Sequence, residues 1–321
     1  MIRAAKSFWL IVPLLVVTGK AQDLPQPRPE QPGIYRPLTR GSVLASPAQR
    51  AAFLAIESQI LAIFQRMPVL AQPRGFDVRP FSRSESPDGQ LVQGSVLVHL
   101  PGYFMFLGKM QVLGDNYVSQ LTVDVNTWNC IGATSMQIGY KDGDFWDRLP
   151  QPTGTFRGYA QYENCVVLTK RKGPMYVPVT QERFLKFKIA DLEVAIPEMP
   201  PALLAAPSAV DRAEFESRRG QMREQLASWK QRLAQLTLVG RAAPAYISEP
   251  QAGEVYPLVS PNTPGARAVL TVNRDYFDKT IPPSSPQLLT VSIGRTRPQF
   301  PDISEKLREQ FDWEALAAML K

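Results

Sequence analysis

Three carboxylates, Asp124, Asp144 and Glu163, share one stretch of the chain with Trp128, Trp146, Tyr159 and Tyr162. Hydrolysis of a glycosidic bond needs this combination. One carboxyl with a raised pKa acts as acid, a second about 5–10 Å away acts as base or nucleophile, and flat rings stack on the sugar. The same rings, placed on strands, are also ordinary cross-strand and core partners, so composition alone leaves both roles open. Asp142, Asp144 and Asp147 could gather a calcium ion through hard oxygen ligands. The glycine and terminal glutamate of a calcium-binding loop are not at their required positions, however. Lys141-Asp142-Gly143-Asp144 reads instead as a turn, because Asp and Gly tolerate left-handed backbone angles. No metal site and no cofactor are expected.

The single histidine, His99, excludes zinc sites built on two or three imidazoles and would have to serve any Ser-His-Asp or Cys-His mechanism alone. In "VLVHLPGYF" it falls on the face opposite Val96, Val98 and Leu100, next to a Pro-Gly turn, which suits a structural histidine. The glycine-flanked serine elbow and the two common phosphate-cradling glycine patterns are absent. Basic residues cluster as Lys170, Arg171 and Lys172 and as Arg218, Arg219 and Arg223. Glu214, Glu216 and Glu224 interleave with the second group, so a solvated helix face explains it as well as an anionic lipid surface does.

Arg3 and Lys6 precede the apolar run Phe8–Val17, and Gly19 and Ala21 follow at small-residue positions, the plan of a secretory signal peptide. Cleavage is expected after Ala21. The run is too short to leave a stable transmembrane segment. Loss of Arg3, Lys6 and Lys20 lowers the net charge from +7 to +4, which demands no nucleic acid partner. Cys130 and Cys165 are the only cysteines. In an oxidising compartment an even count reads as a disulfide, which would stabilise the fold by about 3–4 kcal/mol on the chain-entropy model.

The scaffold for these groups begins after residues 22–46, where prolines without apolar clustering predict a disordered tether. Ser46-Pro47-Ala48-Gln49 caps a helix with Phe53, Ile56, Ile60, Phe64 and Met67 on one side, stopped by Pro68. From Leu91 to about Ile138, Val- and Tyr-rich runs cut at Pro101-Gly102, Gly108 and Gly114-Asp115-Asn116 predict an antiparallel meander. The run 156–171 adds a strand. A helix capped at Thr180 carries Phe184, Leu185, Ile189 and Leu192, and Pro197, Pro200, Pro201 and Pro207 break the chain beyond it. Ser208 and Asp211 start a longer helix with Met222, Leu226, Trp229, Leu233 and Leu236 on one stripe, interrupted by Gly220. Two more strand-like runs precede a terminal helix capped by Asp302, bearing Ile303, Leu307, Phe311, Leu316 and Leu320.

The expected architecture is α+β: a mainly antiparallel meander packed by about four helices. Residues 47–321 form one domain with an alternative boundary at 197–207 and a helical excursion at 208–238. The functional expectation is an exported periplasmic or secreted protein that binds a small molecule or an envelope protein without catalysis. A carboxylate-dependent hydrolase of envelope glycan or peptide is the alternative, and a membrane-surface factor the third.

Overall fold

The computed structural model describes residues 25–43, 46–84, 91–128, 130–131, 145–146, 151–204, 208–248, 257–273 and 275–321. The expected signal peptide and Asp142, Asp144 and Asp147 lie outside them. In chain order, β1 (Gln26–Pro27) and β2 (Thr39–Val43) lead to helices α1 (Pro47–Arg66) and α2 (Pro68–Ala71). Strands β3 (Arg79–Ser84), β4 (Gly94–Phe106), β5 (Lys109–Val125), β6 (Phe145–Trp146), β7 (Gly154–Phe156), β8 (Tyr159–Tyr162), β9 (Cys165–Thr169) and β10 (Tyr176–Pro178) come next. Helices α3 (Gln181–Leu204), α4 (Ala209–Gln235) and α5 (Leu238–Ala242) precede the short strands β11 (Tyr246–Ile247), β12 (Leu258–Val259), β13 (Arg267–Ala268) and β14 (Leu270–Val272). Strand β15 (Leu288–Ile293) and helices α6 (Ile303–Gln310) and α7 (Trp313–Ala318) close the chain.

The fold is α+β, built on a nine-stranded, mostly antiparallel sheet in the order β2-β3-β4-β5-β15-β9-β8-β7, with β1 paired to β4 and the β2–β3 pair parallel. Alternation along the strands turns Val96, Val98, Leu100, Leu121, Val123, Val125, Val166, Leu168, Leu289, Val291 and Ile293 to one face. There they form the main core with the apolar side of α1 and with Leu307, Phe311, Trp313 and Leu316. Seven helices occur among the described residues, four of them longer than two turns. The capping box at Ser46 and Gln49 is present, as are the side-chain caps from Ser208 and Asp302.

Several local expectations are corrected. Residues 25–43 are an ordered part of the sheet rather than a tether leading away from it. The anchors are polar and distant in sequence: Arg36 pairs at 2.9 Å with fully buried Asp77, which also accepts from the Ile34 amide and the Tyr103 hydroxyl. Arg40 pairs at 2.6 Å with buried Glu57 on α1, which accepts from Ser82 as well. The meander is interrupted because β15, from the chain's end, inserts between β5 and β9. Pro101-Gly102 and Gly114-Asp115-Asn116 are not turns: β4 and β5 run through them as one long hairpin closed at Leu107-Gly108, both at positive φ. Pro101 sits at a register irregularity, where its missing N–H costs no ladder bond. A Cβ on Gly102 would come within 2.9 Å of Val118 and Phe300, so close packing requires that glycine.

The single strand expected over 156–171 is three, joined by tight turns at Arg157-Gly158 and at Glu163. Helix α3 continues through Pro197, Pro200 and Pro201 to Leu204, its earlier turns anchored by buried Phe184, Leu185, Phe187 and Leu192. Gly220 likewise does not interrupt α4. The terminal helix is two, because Asp312 accepts from the Ala315 amide and starts α7 afresh.

Candidate functional site

Of the carboxylates singled out by sequence, Asp124 and Glu163 are not brought together. Asp124 is buried in the sheet, accepting hydrogen bonds from Ser95 on β4 and Thr290 on β15. Glu163 is exposed in the β8–β9 turn. Thr290 pairs with both Asp124 and Val167, so Glu163 stands two strands across and four residues along from Asp124, roughly 16 Å by strand geometry. That exceeds the separation a two-carboxylate hydrolysis uses. Asp144 lies outside the described residues.

The aromatic candidates divide between the faces of the sheet. Tyr159 packs on the main core, whereas Tyr162 joins Trp128, Ile131, Cys165, Tyr176 and Leu288 in a separate cluster on the other face. Trp128 is enclosed by rings, 5.1 Å from Tyr276, 5.5 Å from Phe277 and 6.0 Å from Tyr176. Of Trp146 the backbone is described, in β6 paired to β14. A disulfide joins Cys130 to Cys165 and pins the segment after β5 to β9. His99 stacks on Tyr117 at 4.3 Å, and burial, aided by the charge of Arg79, holds its pKa below the usual histidine value. Two residues of the first basic cluster are tied to the fold: Lys170 donates to the Leu320 carbonyl, and Arg171 donates to the Tyr276 carbonyl and pairs with Asp278 at 3.0 Å.

One concave surface among the described residues lies between α3 and α4. The Thr180 hydroxyl accepts from the Arg183 amide and starts α3; Phe184, Leu185, Ile189 and Leu192 then join Leu226, Trp229 and Leu233 of α4, and Leu236 just after it, in a second core. Lys230 of α4 pairs at 2.6 Å with Glu193 of α3. Both partners are about half exposed, so the pair sets alignment more than stability. Beside this seam the helices leave a cleft of about 880 Å³, within the range that small-molecule sites occupy. Leu192, Ala195, Met222 and Trp229 supply its apolar wall, and Asp191, Glu214, Arg218, Gln221 and Glu224 its polar lining.

Lys188 also lines the cleft, although it is only 5% exposed. Its ammonium lies 5.8–5.9 Å from the ring centroids of Phe184, Phe187 and Trp229, within cation–π range. Burial pushes the amine below the usual lysine range, and the charge of Asp191 partly offsets that shift. Sequence reasoning missed this residue. The signal was its spacing: Lys188 follows Phe184 by four and precedes Leu192 by four, on the stripe a helix buries.

Among the described residues no group of three His, Cys, Asp or Glu could hold a metal ion, and no helix is long and apolar enough to cross a membrane. The disulfide is of the kind that persists in oxidising compartments. No protein-family model, curated protein or solved structure matches the chain.

Proposed function

We propose that the protein is an exported, non-enzymatic binding module that holds a small, partly apolar molecule in the α3–α4 cleft. The observation that carries this reading is the cleft of about 880 Å³, with Lys188 and Trp229 in its lining. Export is supported by the signal-peptide pattern of the first 21 residues and by the Cys130–Cys165 disulfide. The hydrolase alternative draws less support, since Asp124 is taken up by Ser95 and Thr290 and stands far from Glu163. The membrane-surface alternative also weakens, because Arg219 pairs with Glu216 and the acids interleaved on α4 dilute its positive charge.

The test uses 1-anilinonaphthalene-8-sulfonate, a fluorescent probe for apolar clefts. Saturable, one-to-one binding is expected in the native protein. It is expected to be lost when Ser228→Trp, at an exposed lining position, fills the cleft without disturbing the core. Probe binding that never saturates, or that the filled variant leaves unchanged, overturns the reading. Sequencing the N-terminus of the protein from the exported fraction of its own cells tests the location, with a start at residue 22 expected.

A further inference from the structure

We infer that a second, smaller pocket, where β8, β9 and the chain just past β9 meet, binds a small carboxylate whose apolar body is one ring or a short chain. It shares no lining residue with the α3–α4 cleft and stands independently of the reading of that cleft.

The strands build its floor. Ala160 on β8 and Val167 on β9 are direct cross-strand partners, and both turn to the face of the sheet that carries the Cys130–Cys165 disulfide. Met175 and Tyr276 complete an apolar surface; Tyr276 is buried and lies edge-on to Trp128 at 5.1 Å. Arg171, Lys172 and Gly173, with Gly158 of the β7–β8 turn, extend the lining. The volume is about 200 Å³, below the roughly 300–1,000 Å³ of sites for larger molecules. A body of one ring or a short chain is the size it suits.

Charge selects the sign of the ligand. Arg171 and Lys172 are the charged residues of the lining, and no carboxylate is among them. Arg171 is held in place: its Nε donates to the Tyr276 carbonyl and its Nη1 to Asp278, whose other oxygen accepts from the Thr280 amide and hydroxyl. Asp278 therefore offsets one of the two positive charges. Lys172 keeps the other, because it is exposed and makes no hydrogen bond or ion pair among the described residues, which leaves its ammonium free to swing over the mouth. Neighbouring charges are already committed, since Lys170 donates to the Leu320 carbonyl and Asp275 pairs with Lys279 at 2.7 Å.

Two hydroxyls of the lining leave the selection to these cations. Thr169 donates to the Gln287 carbonyl, so in its 3.0 Å bond with Tyr276 it accepts, and the tyrosine's hydrogen is spent there. Neither keeps a hydrogen for an incoming anion. A carboxylate at the mouth meets the cations while its apolar body covers Val167, Met175 and the Tyr276 ring.

The deciding experiment follows the backbone amides of the full chain by two-dimensional NMR during titration with benzoate, benzyl alcohol, benzylammonium and inorganic phosphate. Benzoate is expected to shift the amides of Thr169, Arg171, Lys172 and Gly173 saturably and to bind about three- to tenfold tighter than benzyl alcohol. Lys172→Glu, at an exposed position, is expected to erase that preference, and Lys172→Arg to keep it. A Cβ on Gly173 would meet nothing within 4 Å, so Gly173→Phe is expected to fill the pocket and abolish binding without displacing the fold. Equal binding of benzoate and benzyl alcohol by the native protein overturns the inference, as does preference for benzylammonium. Phosphate binding tighter than benzoate overturns it too, by assigning the site to an inorganic oxyanion that ignores the apolar floor. Benzoate shifts confined to α3 and α4 overturn the location. Ser228→Trp is expected to leave the benzoate shifts at Thr169–Gly173 unchanged, so failure of the cleft reading and failure of this one are told apart. The native protein's ratio of benzoate to benzyl alcohol affinity decides the matter even where a variant fails to fold.

Discussion

Asn126 and Leu288 bond to each other twice: the Asn126 amide donates to the Leu288 carbonyl at 2.8 Å, and the Leu288 amide donates to Asn126 Oδ1 at 3.1 Å. The same Oδ1 accepts from the Gln287 amide, and Nδ2 donates to the carbonyls of Val92 and Ser285. One fully buried side chain thus joins the end of β5 to the start of β15, the long-range pairing that sets the sheet order. Asn is among the few residues that adopt its backbone angle, φ 52°, at low cost. Asn126→Ala is expected to destabilise the protein by about 2–4 kcal/mol in urea unfolding, because it strands buried donors and acceptors on both sides. Asn126→Gly relieves the backbone but restores none of those bonds, so it should rescue less than half of the loss.

Asp77 is predicted to make stability depend on acid. Burial alone would raise its pKa, but hydrogen bonds from Tyr103, Arg36 and the Ile34 amide, with the charge of Arg36, hold it below the usual aspartate value. A carboxyl depressed in the folded state contributes stability above its unfolded pKa and loses it as pH falls through the folded value. The urea midpoint should therefore drop below about pH 4, and Asp77→Asn should flatten that part of the profile while lowering the plateau. Tyr103 acts at the opposite end. Burial and its bond to Asp77 push its hydroxyl up to about 12, so its contribution is complete below about pH 10 and fades as pH rises towards 12. Tyr103→Phe should cost about 1–2 kcal/mol at neutral pH and converge on the native protein in alkali.

Reduction of the Cys130–Cys165 disulfide is expected to lower stability by about 3–4 kcal/mol, the chain-entropy value for a loop of this size. Ile131, beside Cys130, is fully buried against Tyr162 and Tyr176, so the cross-link also holds part of an apolar cluster. Intact mass of native protein alkylated without reductant should show no added alkyl groups. Uptake of two would contradict the bond.

How much of this was legible depended on distance along the chain. Ser46 with Gln49, Thr180, Ser208 with Asp211, and Asp302 announced helix starts because a cap acts within one turn. The place of β15 between β5 and β9 was not legible, since nothing local in "LLTVSI" says which edges it joins. The ordering of residues 25–43 was hidden for the same reason, because Asp77 and Glu57 lie far from the arginines they hold. At the site, Trp128, Tyr159 and Tyr162 lie in apolar clusters of the sheet. The lysine that floors the cleft was visible only as a charged residue on an apolar stripe, a pattern that a solvated flank imitates.

Trp313 tests the break between α6 and α7. Its ring is 4.8 Å from Phe311 and 5.0 Å from Phe156, and its Nε1 donates to the Arg308 carbonyl. At 1% exposure it is the largest fully buried side chain in the core. Trp313→Ala should cost about 3–5 kcal/mol. Asp312→Ala, which removes the second cap and an exposed pair with Arg66, should cost about 1 kcal/mol by the same urea measurement.

Asp124 and Glu163 make the sharpest contrast, because a catalytic pair and a structural reading predict opposite outcomes. Asp124 accepts from two buried hydroxyls, so Asp124→Ala should destabilise by about 2–3 kcal/mol. Glu163 sits exposed at φ 48°, a conformation that costs an L-residue about 1–2 kcal/mol and glycine much less. Glu163→Gly is therefore expected to leave stability unchanged or raise it by up to about 1 kcal/mol. Neither change touches the α3–α4 cleft, so anilinonaphthalene sulfonate should bind both folded variants as it binds the native protein. A glycan- or peptide-hydrolysing activity that vanished in Glu163→Gly while the fold was retained would return that residue to catalysis and end the structural reading.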